Sequence, residues 1–193
     1  SGTTFDNICE CIDNGKISGE VSVVVSSRKD AYGIARAEKR NIPVEVVSSS
    51  DLSNPDFSRA ITKVLIDFKT DIVVMAGFMC FYEVPEAYRN KVLNIHPALL
   101  PAFGGQGMYG HYVHEAVLDY GCRITGCTAH FVEGDYDTGP IILQAAVPVR
   151  DSDTPEHLAR RVQEKEREVY PQAIELVCAD RIFVKGRRVL RKQ

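Results

Sequence analysis

The sequence predicts an open α/β sheet, mostly parallel and mixed in its C-terminal half, with helices on both faces. Three observations lead there. Short β-branched runs alternate with helical patterns through the first third of the chain. The run DIVVMAGF (71–78) carries apolar residues on both faces, as a parallel strand covered by helices does. After position 110 two apolar strand runs follow one another with only a short loop between them, which breaks the parallel rhythm.

Taken in order, VSVVVSS (21–27) reads as a buried strand and DAYGIARAEKR (30–40) as the helix after it. IPVEVVS (42–48) is the next strand. NPDFSRAITKVLIDFK (54–69) has Pro55 near its first turn and repeats apolar residues at 57, 61, 64, 65 and 68, a helical spacing. DIVVMAGF and KVLNIH (91–96) are strands, and GHYVHEAVLDYG is a helix closed by Gly121. CRITGCTAHFV (122–132) and GPIILQAAVPV (139–149) form two strands joined by EGDYDT. Thr154 caps and Pro155 opens a long helix to about Cys178, bent or broken at Pro171. RIFVKGRRVL makes a hairpin around Lys185–Gly186, part of a small C-terminal tail over 181–193. The opening SGTTFDNICECID is a glycine-containing turn running into a helix. Such a turn ordinarily leaves a strand, so a first strand is expected ahead of Ser1.

The chain has 193 residues, 45 % of them hydrophobic, enough for one well-buried core in a single domain spanning 1–193. A formal net charge of -3 gives no basic field for nucleic acid. The local cluster Lys185, Arg187, Arg188, Arg191 and Lys192 reads as a solvated terminus. The six cysteines form no C-x-x-C and no zinc-ligand spacing, so no metal is expected and a reducing compartment suits them. The first residues lack the basic start and apolar run of a signal peptide, and no stretch is long and apolar enough for a membrane span. A soluble, cytoplasmic protein is expected.

Ligands of such sheets bind beyond the carboxyl ends of the strands. The stretch NIHPALLPAF (94–103) lies at one of those ends. Residues two apart on a strand share a face, so Asn94 and His96 project together, and Pro97 stops the ladder after them. A core histidine with one hydrogen bond fits His96 alone; Asn94 on the same face fits that less well, since two polar groups would then need partners. In EGDYDTGP (133–140), Asp135 and Asp137 are either turn-makers or, should the loop reach His96, a carboxylate that raises the ring's pKa and keeps it protonated. Thr3 or Thr4 is an ordinary N-cap or part of a phosphate site at a helix N-terminus. Glu166 falls on the apolar stripe Leu158, Val162, Val169 and Ala173, and either snorkels outward or accepts hydrogen bonds from something bound.

The combination of AGFM, LNIHPALLPAF, HFV and D-x-G-P-I-I-L-Q resembles the phosphoribosylglycinamide formyltransferases, over nearly the whole chain. The resemblance implies a Rossmann-like formyltransferase fold and formyl transfer from 10-formyltetrahydrofolate, a co-substrate, to the amine of glycinamide ribonucleotide in purine synthesis. It implies a catalytic trio of Asn94, His96 and Asp137. It places Gly2, Thr3 and Thr4 at the substrate phosphate and Gln163, Glu164, Lys165 and Glu166 along the ribonucleotide, with Glu166 on ribose hydroxyls. Met79, Cys80, Phe81 and Tyr82, with Glu133, Gly134, Asp135, Tyr136 and Asp137, match the segments lining the folate, which Asn94 also touches. Many members have arginine where this chain has Cys80, and an upstream arginine is Asn54 here; both changes bear on contacts to the folate glutamate tail. GGQGMYGHYVHEAV is longer than in the shortest members, and its His111 and His114 are expected not to be catalytic. A monomer or homodimer acting without metal is implied. Alternatives are a formyltetrahydrofolate hydrolase using the same trio and a non-catalytic nucleotide-binding module on the same fold.

Overall fold

The computed structural model describes residues 2–192. Its elements are α1 (Thr3–Asp13), β1 (Val24–Ser26), α2 (Tyr32–Lys39), β2 (Val44–Val46), α3 (Asn54–Asp67), β3 (Val73–Val74), a 3-10 turn (Glu86–Tyr88), β4 (Val92–His96), α4 (His111–Tyr120), β5 (Ile124–Phe131), β6 (Ile141–Pro148), α5 (Pro155–Cys178), β7 (Ile182–Lys185) and β8 (Arg188–Arg191). Six strands form one sheet in the order β3-β4-β5-β6-β8-β7, while β1 and β2 pair in parallel as a separate ladder. The β3–β4 and β6–β8 pairs are parallel; β4–β5, β5–β6 and β7–β8 are antiparallel. The expected strand ahead of Ser1 lies outside the described residues.

Local chemistry sets the helix ends. Ser53 and Thr154 each accept a hydrogen bond from a backbone N–H in the first turn of the helix that follows, and a proline opens both helices. Gly121 closes α4 in the left-handed region at φ 79°. Three strands are shorter than their apolar runs suggest, with 21–27 reduced to Val24–Ser26, 42–48 to Val44–Val46 and 71–78 to Val73–Val74. Composition extends a strand only as far as a neighbouring ladder does. The other correction concerns Pro171, where α5 neither stops nor breaks. The proline has no N–H for the carbonyl of Arg167 one turn back. That carbonyl instead accepts from Asn7 Nδ2 of α1 at 3.1 Å, so the helix continues with its acceptor satisfied.

The sheet separates two apolar layers. Leu93, Cys127, Ala129, Phe131 and Val147 pack with Leu158, Val162, Val169, Ala173 and Ile174 of α5, along with Ile8 of α1 and Val117 of α4. Val92 packs in the other layer with Phe57, Ile61 and Leu65 of α3, Tyr82 and Tyr88. Val92 and Leu93 are both fully buried on opposite faces, which pins the phase of β4 and sends Asn94 and His96 to the side of Val92. Tyr170 bolts α5 to the sheet: its buried hydroxyl hydrogen is shared between the carbonyls of Met75 at 2.8 Å and Leu93 at 2.9 Å. Tyr170→Phe leaves those acceptors without this donor. The expected result is a loss of about 1–3 kcal/mol, read as a lower urea midpoint at unchanged m value.

Candidate active site

Three segments meet at the carboxyl end of β4. His96 is buried, and its two ring nitrogens face two acceptors: Nε2 lies 2.7 Å from the Phe103 carbonyl and Nδ1 3.3 Å from Asp137 Oδ2. Asp137 sits at φ 57° in the β5–β6 loop, and its Oδ2 also accepts from the Gly105 N–H at 3.0 Å. Gly104 allows that approach, since a Cβ there would meet Leu100 at 2.5 Å and Asp137 Cβ at 3.3 Å. Asn94 is half-buried, and among the described residues nothing hydrogen-bonds its amide, leaving it open to a ligand.

The segment that leads to Phe103 is held at Ala98 and Leu100 by Thr128 and Gln144, two residues whose sequence context gives them no role. Thr128 is fully buried and pairs with His96 in the β4–β5 ladder. Its hydroxyl donates to the Ala98 carbonyl at 2.7 Å and accepts from Leu100 N at 3.1 Å and Gln144 Nε2 at 2.9 Å. Gln144 Nε2 also donates to the Leu100 carbonyl at 3.0 Å. These bonds clamp the segment after His96 onto β5 and β6. A third residue was missed as well. His130, buried on β5 opposite Asn94, has Nε2 3.5 Å from Asp137 Oδ1. Its only sequence signal is an imidazole in a strand with no charged residue.

The electrostatics correct one expectation. Burial pushes the His96 pKa below the ordinary 6.5, and His130 adds to the lowering; Asp137 and the Phe103 carbonyl pull upward without prevailing. The resting ring is therefore mostly neutral at pH 7, not held protonated by Asp137. Asp137 is itself pushed up by burial, yet His130, His96 and the Gly105 N–H together bring it below the ordinary carboxylate value. His114 of α4 is buried with Nδ1 unpartnered, and burial plus the charges of His96 and His111 lowers it to about 4. It stays neutral near pH 7.

The residues matched to the folate separate into two groups. Met79 is exposed, Cys80 is half-buried, and Phe81 meets Tyr136 edge-on at 5.4 Å. Tyr82, by contrast, belongs to the second apolar layer, its hydroxyl 3.0 Å from Thr62 Oγ1. The loop with Glu133, Gly134 and Asp135 is closed by Thr138, whose hydroxyl bonds the carbonyls of Glu133 and Asp135. Glu133 also pairs with Arg89 at 3.3 Å.

A second cleft lies between α1 and α5, lined by Thr3, Thr4, Asn7, Gln163, Glu166 and Arg167. Asn7 and Arg167 were not anticipated. Glu164 and Lys165 do not line it, and Lys165 pairs with Glu168 at 2.7 Å. Gly2 is the N-cap of α1 at φ 71°. Desolvation pushes the Glu166 carboxyl up to about 7. One helical turn on is Tyr170, whose hydroxyl reaches the carbonyl of Leu93, next to Asn94. Cleft and trio thus belong to one end of the sheet. Among the described residues, no group of three or more His, Cys, Asp or Glu is arranged to hold a metal ion, and no helix is long and apolar enough to cross a membrane.

Comparison with known proteins bears on the fold and the family. Residues 1–174 match the family described as formyl transferase. The chloroplastic phosphoribosylglycinamide formyltransferase of Arabidopsis thaliana is 40% identical over 185 residues, 94% of this chain and 63% of that protein. The phosphoribosylglycinamide formyltransferase of Haemophilus influenzae is 33% identical over 187 residues, covering 95% of this chain and 86% of that one. The crystal structure of glycinamide ribonucleotide transformylase 1 from Symbiobacterium toebii superposes with a TM-score of 0.93 at 40% identity, covering 100% of this chain and 90% of its own. The chain thus spans under two thirds of the plant protein and most of the two bacterial ones. It belongs to the formyl transferase family, with the α/β architecture of the phosphoribosylglycinamide formyltransferases.

Proposed function

We propose that this chain transfers the formyl group of 10-formyltetrahydrofolate to the primary amine of glycinamide ribonucleotide. The observation that carries the reading is the meeting of Asp137 with His96 beside the unpartnered amide of Asn94. The amine nitrogen bonds the formyl carbon, and the bond from that carbon to the folate nitrogen breaks. As the formyl oxygen gains negative charge, Asn94 Nδ2 donates a hydrogen bond to it. The acceptor nitrogen loses a proton to Asp137, and the leaving nitrogen gains one by way of His96. A ring that is neutral at rest suits this role, because it takes up a proton during turnover and releases it again.

The cleft between α1 and α5 supports the ribonucleotide end of the reading. The N–H groups and threonine hydroxyls at the start of α1 suit a phosphate, and the Glu166 carboxyl suits a ribose diol. The exposed Met79 and the Phe81–Tyr136 pair offer apolar and aromatic surface to a pteridine. We take the protein to act in solution as a monomer or homodimer, in the cytoplasm, without metal.

Asn94→Ala and His96→Ala should each lose roughly 3 kcal/mol of transition-state stabilisation, a drop in kcat of about a hundredfold or more. The assay is formyl transfer to glycinamide ribonucleotide. Undiminished turnover in either variant rejects the assignment. Folate turnover that is independent of ribonucleotide assigns the chain to hydrolysis instead. Glu166 titrates near 7, and its ionised form is the better acceptor for ribose hydroxyls. The KM for ribonucleotide should therefore fall as pH rises through about 7, relative to Glu166→Gln, in which that component is absent. Parallel pH profiles in the two proteins rule this out.

A further inference from the structure

The basic hairpin β7–β8 lies beyond residue 174, where the match to the formyl transferase family stops. Its sequence reads as a solvated terminus, and for Lys185, Arg188 and Arg191 that holds. Each is exposed, with no side-chain bond or ion pair among the described residues. Arg187 is different. Its Nη2 donates to the carbonyl of Thr138 at 2.8 Å, and Thr138 directly follows Asp137. The hairpin is a fixed support for that contact: Ile182 is buried in the main core, and Val184 and Val189 pack against the same core. Beside the contact, β8 joins β6 through Arg188 opposite Ile141.

The loop that Arg187 touches needs such support. Asp137 sits at φ 57°, a region unfavourable to a residue with a Cβ and kept only where neighbours hold it. Backbone closes the base of the loop: the Phe131 N–H donates to the Pro140 carbonyl at 2.9 Å, and Gly139 lies so near the Phe131 carbonyl that a Cβ would collide with it. Within the loop, the Thr138 hydroxyl hydrogen is shared between the carbonyls of Glu133 and Asp135, which shapes the turn without tying it to another element. Two arginines tie the ends of the loop to other elements. Arg89 meets Glu133 at 3.3 Å, and Arg187 meets Thr138. Of the two, Arg187 acts one residue from Asp137, through a charge-assisted bond. We infer that Arg187 is a positioning residue of the site, whose bond to Thr138 holds Asp137 where its carboxylate meets the His96 ring and the Gly105 N–H. The inference rests on the formyl-transfer reading, in which Asp137 takes the proton of the acceptor nitrogen.

Arg187→Met keeps the aliphatic stem and loses every donor. Its kcat should fall by about tenfold or more, because a small misplacement of a reacting group is costly. The KM for 10-formyltetrahydrofolate should rise with it, since Tyr136 of the same loop meets Phe81. The KM for ribonucleotide, bound in the cleft between α1 and α5, should stay within about twofold. An arginine that only stabilised the fold would shift the melting temperature and leave this split absent. Lys185→Met, which removes a neighbouring charge that bonds nothing, should match wild type. Amide exchange reads the same point without substrate. The Gly105 N–H, which donates to Asp137 Oδ2 at 3.0 Å, should exchange about threefold or more faster in Arg187→Met, with the β4 and β5 amides unchanged. Wild-type kcat in Arg187→Met, an equal loss in Lys185→Met, or unaltered Gly105 exchange overturns the inference. Should the methionine variant not fold, Arg187→Gln, with its shorter side chain, replaces it in both measurements. Wild-type protein that transfers no formyl group sinks the functional reading, whereas Gly105 exchange still reports the position of Asp137.

Discussion

The register of β4 against β5 is the constraint on which the site depends. β4 has apolar layers on both sides, with Val92 committed to one and Leu93 to the other, and the pairing sets Asn94 opposite His130 and His96 opposite Thr128. A slip by one residue would turn the imidazole into the apolar layer of α5 and present Ile95 to the crevice. It would also separate His96 from the strand carrying Thr128 and from the loop carrying Asp137. The polar chemistry is therefore held by apolar packing one residue away. Tyr170 strengthens the arrangement by tying α5 to the carbonyl of Leu93 within the same strand.

Burial and pairing compete throughout this end of the sheet, and the winner differs from group to group. Around Asp137, two imidazoles and a backbone N–H outweigh the cost of desolvation, so the carboxylate is favoured. At His96 desolvation wins, although both nitrogens have acceptors. At Glu166 nothing opposes it, and the carboxyl drifts toward neutrality. Three groups at one end of the sheet, in two clefts, thus respond differently to burial, which is how a site separates proton acceptors from hydrogen-bond acceptors.

The periodic parts of this arrangement were legible in the sequence. Positions 57, 61 and 65 face the core of α3 as their spacing implies, Thr154 caps α5, and the period of two places Asn94 and His96 on one face. Distances across the chain were not. Nothing local says that Asp137 stops 3.3 Å from His96, because that depends on a loop closed by Thr138 and on the bare backbone at Gly104. His130 and Thr128 were hidden inside a strand that reads as apolar core, so their polarity drew no notice. The charge on His96 was misjudged for a related reason: a nearby carboxylate is visible in a motif, whereas depth of burial is a property of the whole fold. Tyr82 shows the same limit, since family position assigned it to a ligand surface and packing took it into the core.

Pro171 shows how far a single missing donor can reach. The imino acid leaves one carbonyl of α5 without its intrahelical bond, and that oxygen is met by the side chain of Asn7 from the first helix. The two helices are thereby keyed to each other lengthwise at one point. Thr3 and Thr4 sit one turn before the key, Gln163 one turn before its lock and Glu166 immediately before it, so the spacing of the cleft walls is inherited from an irregularity in the backbone. An amino acid with an amide hydrogen at 171 would give that carbonyl a second donor from within α5 itself. The bond from the first helix would then be one of two, and the helices would be keyed less by it than by the packing of Ile8.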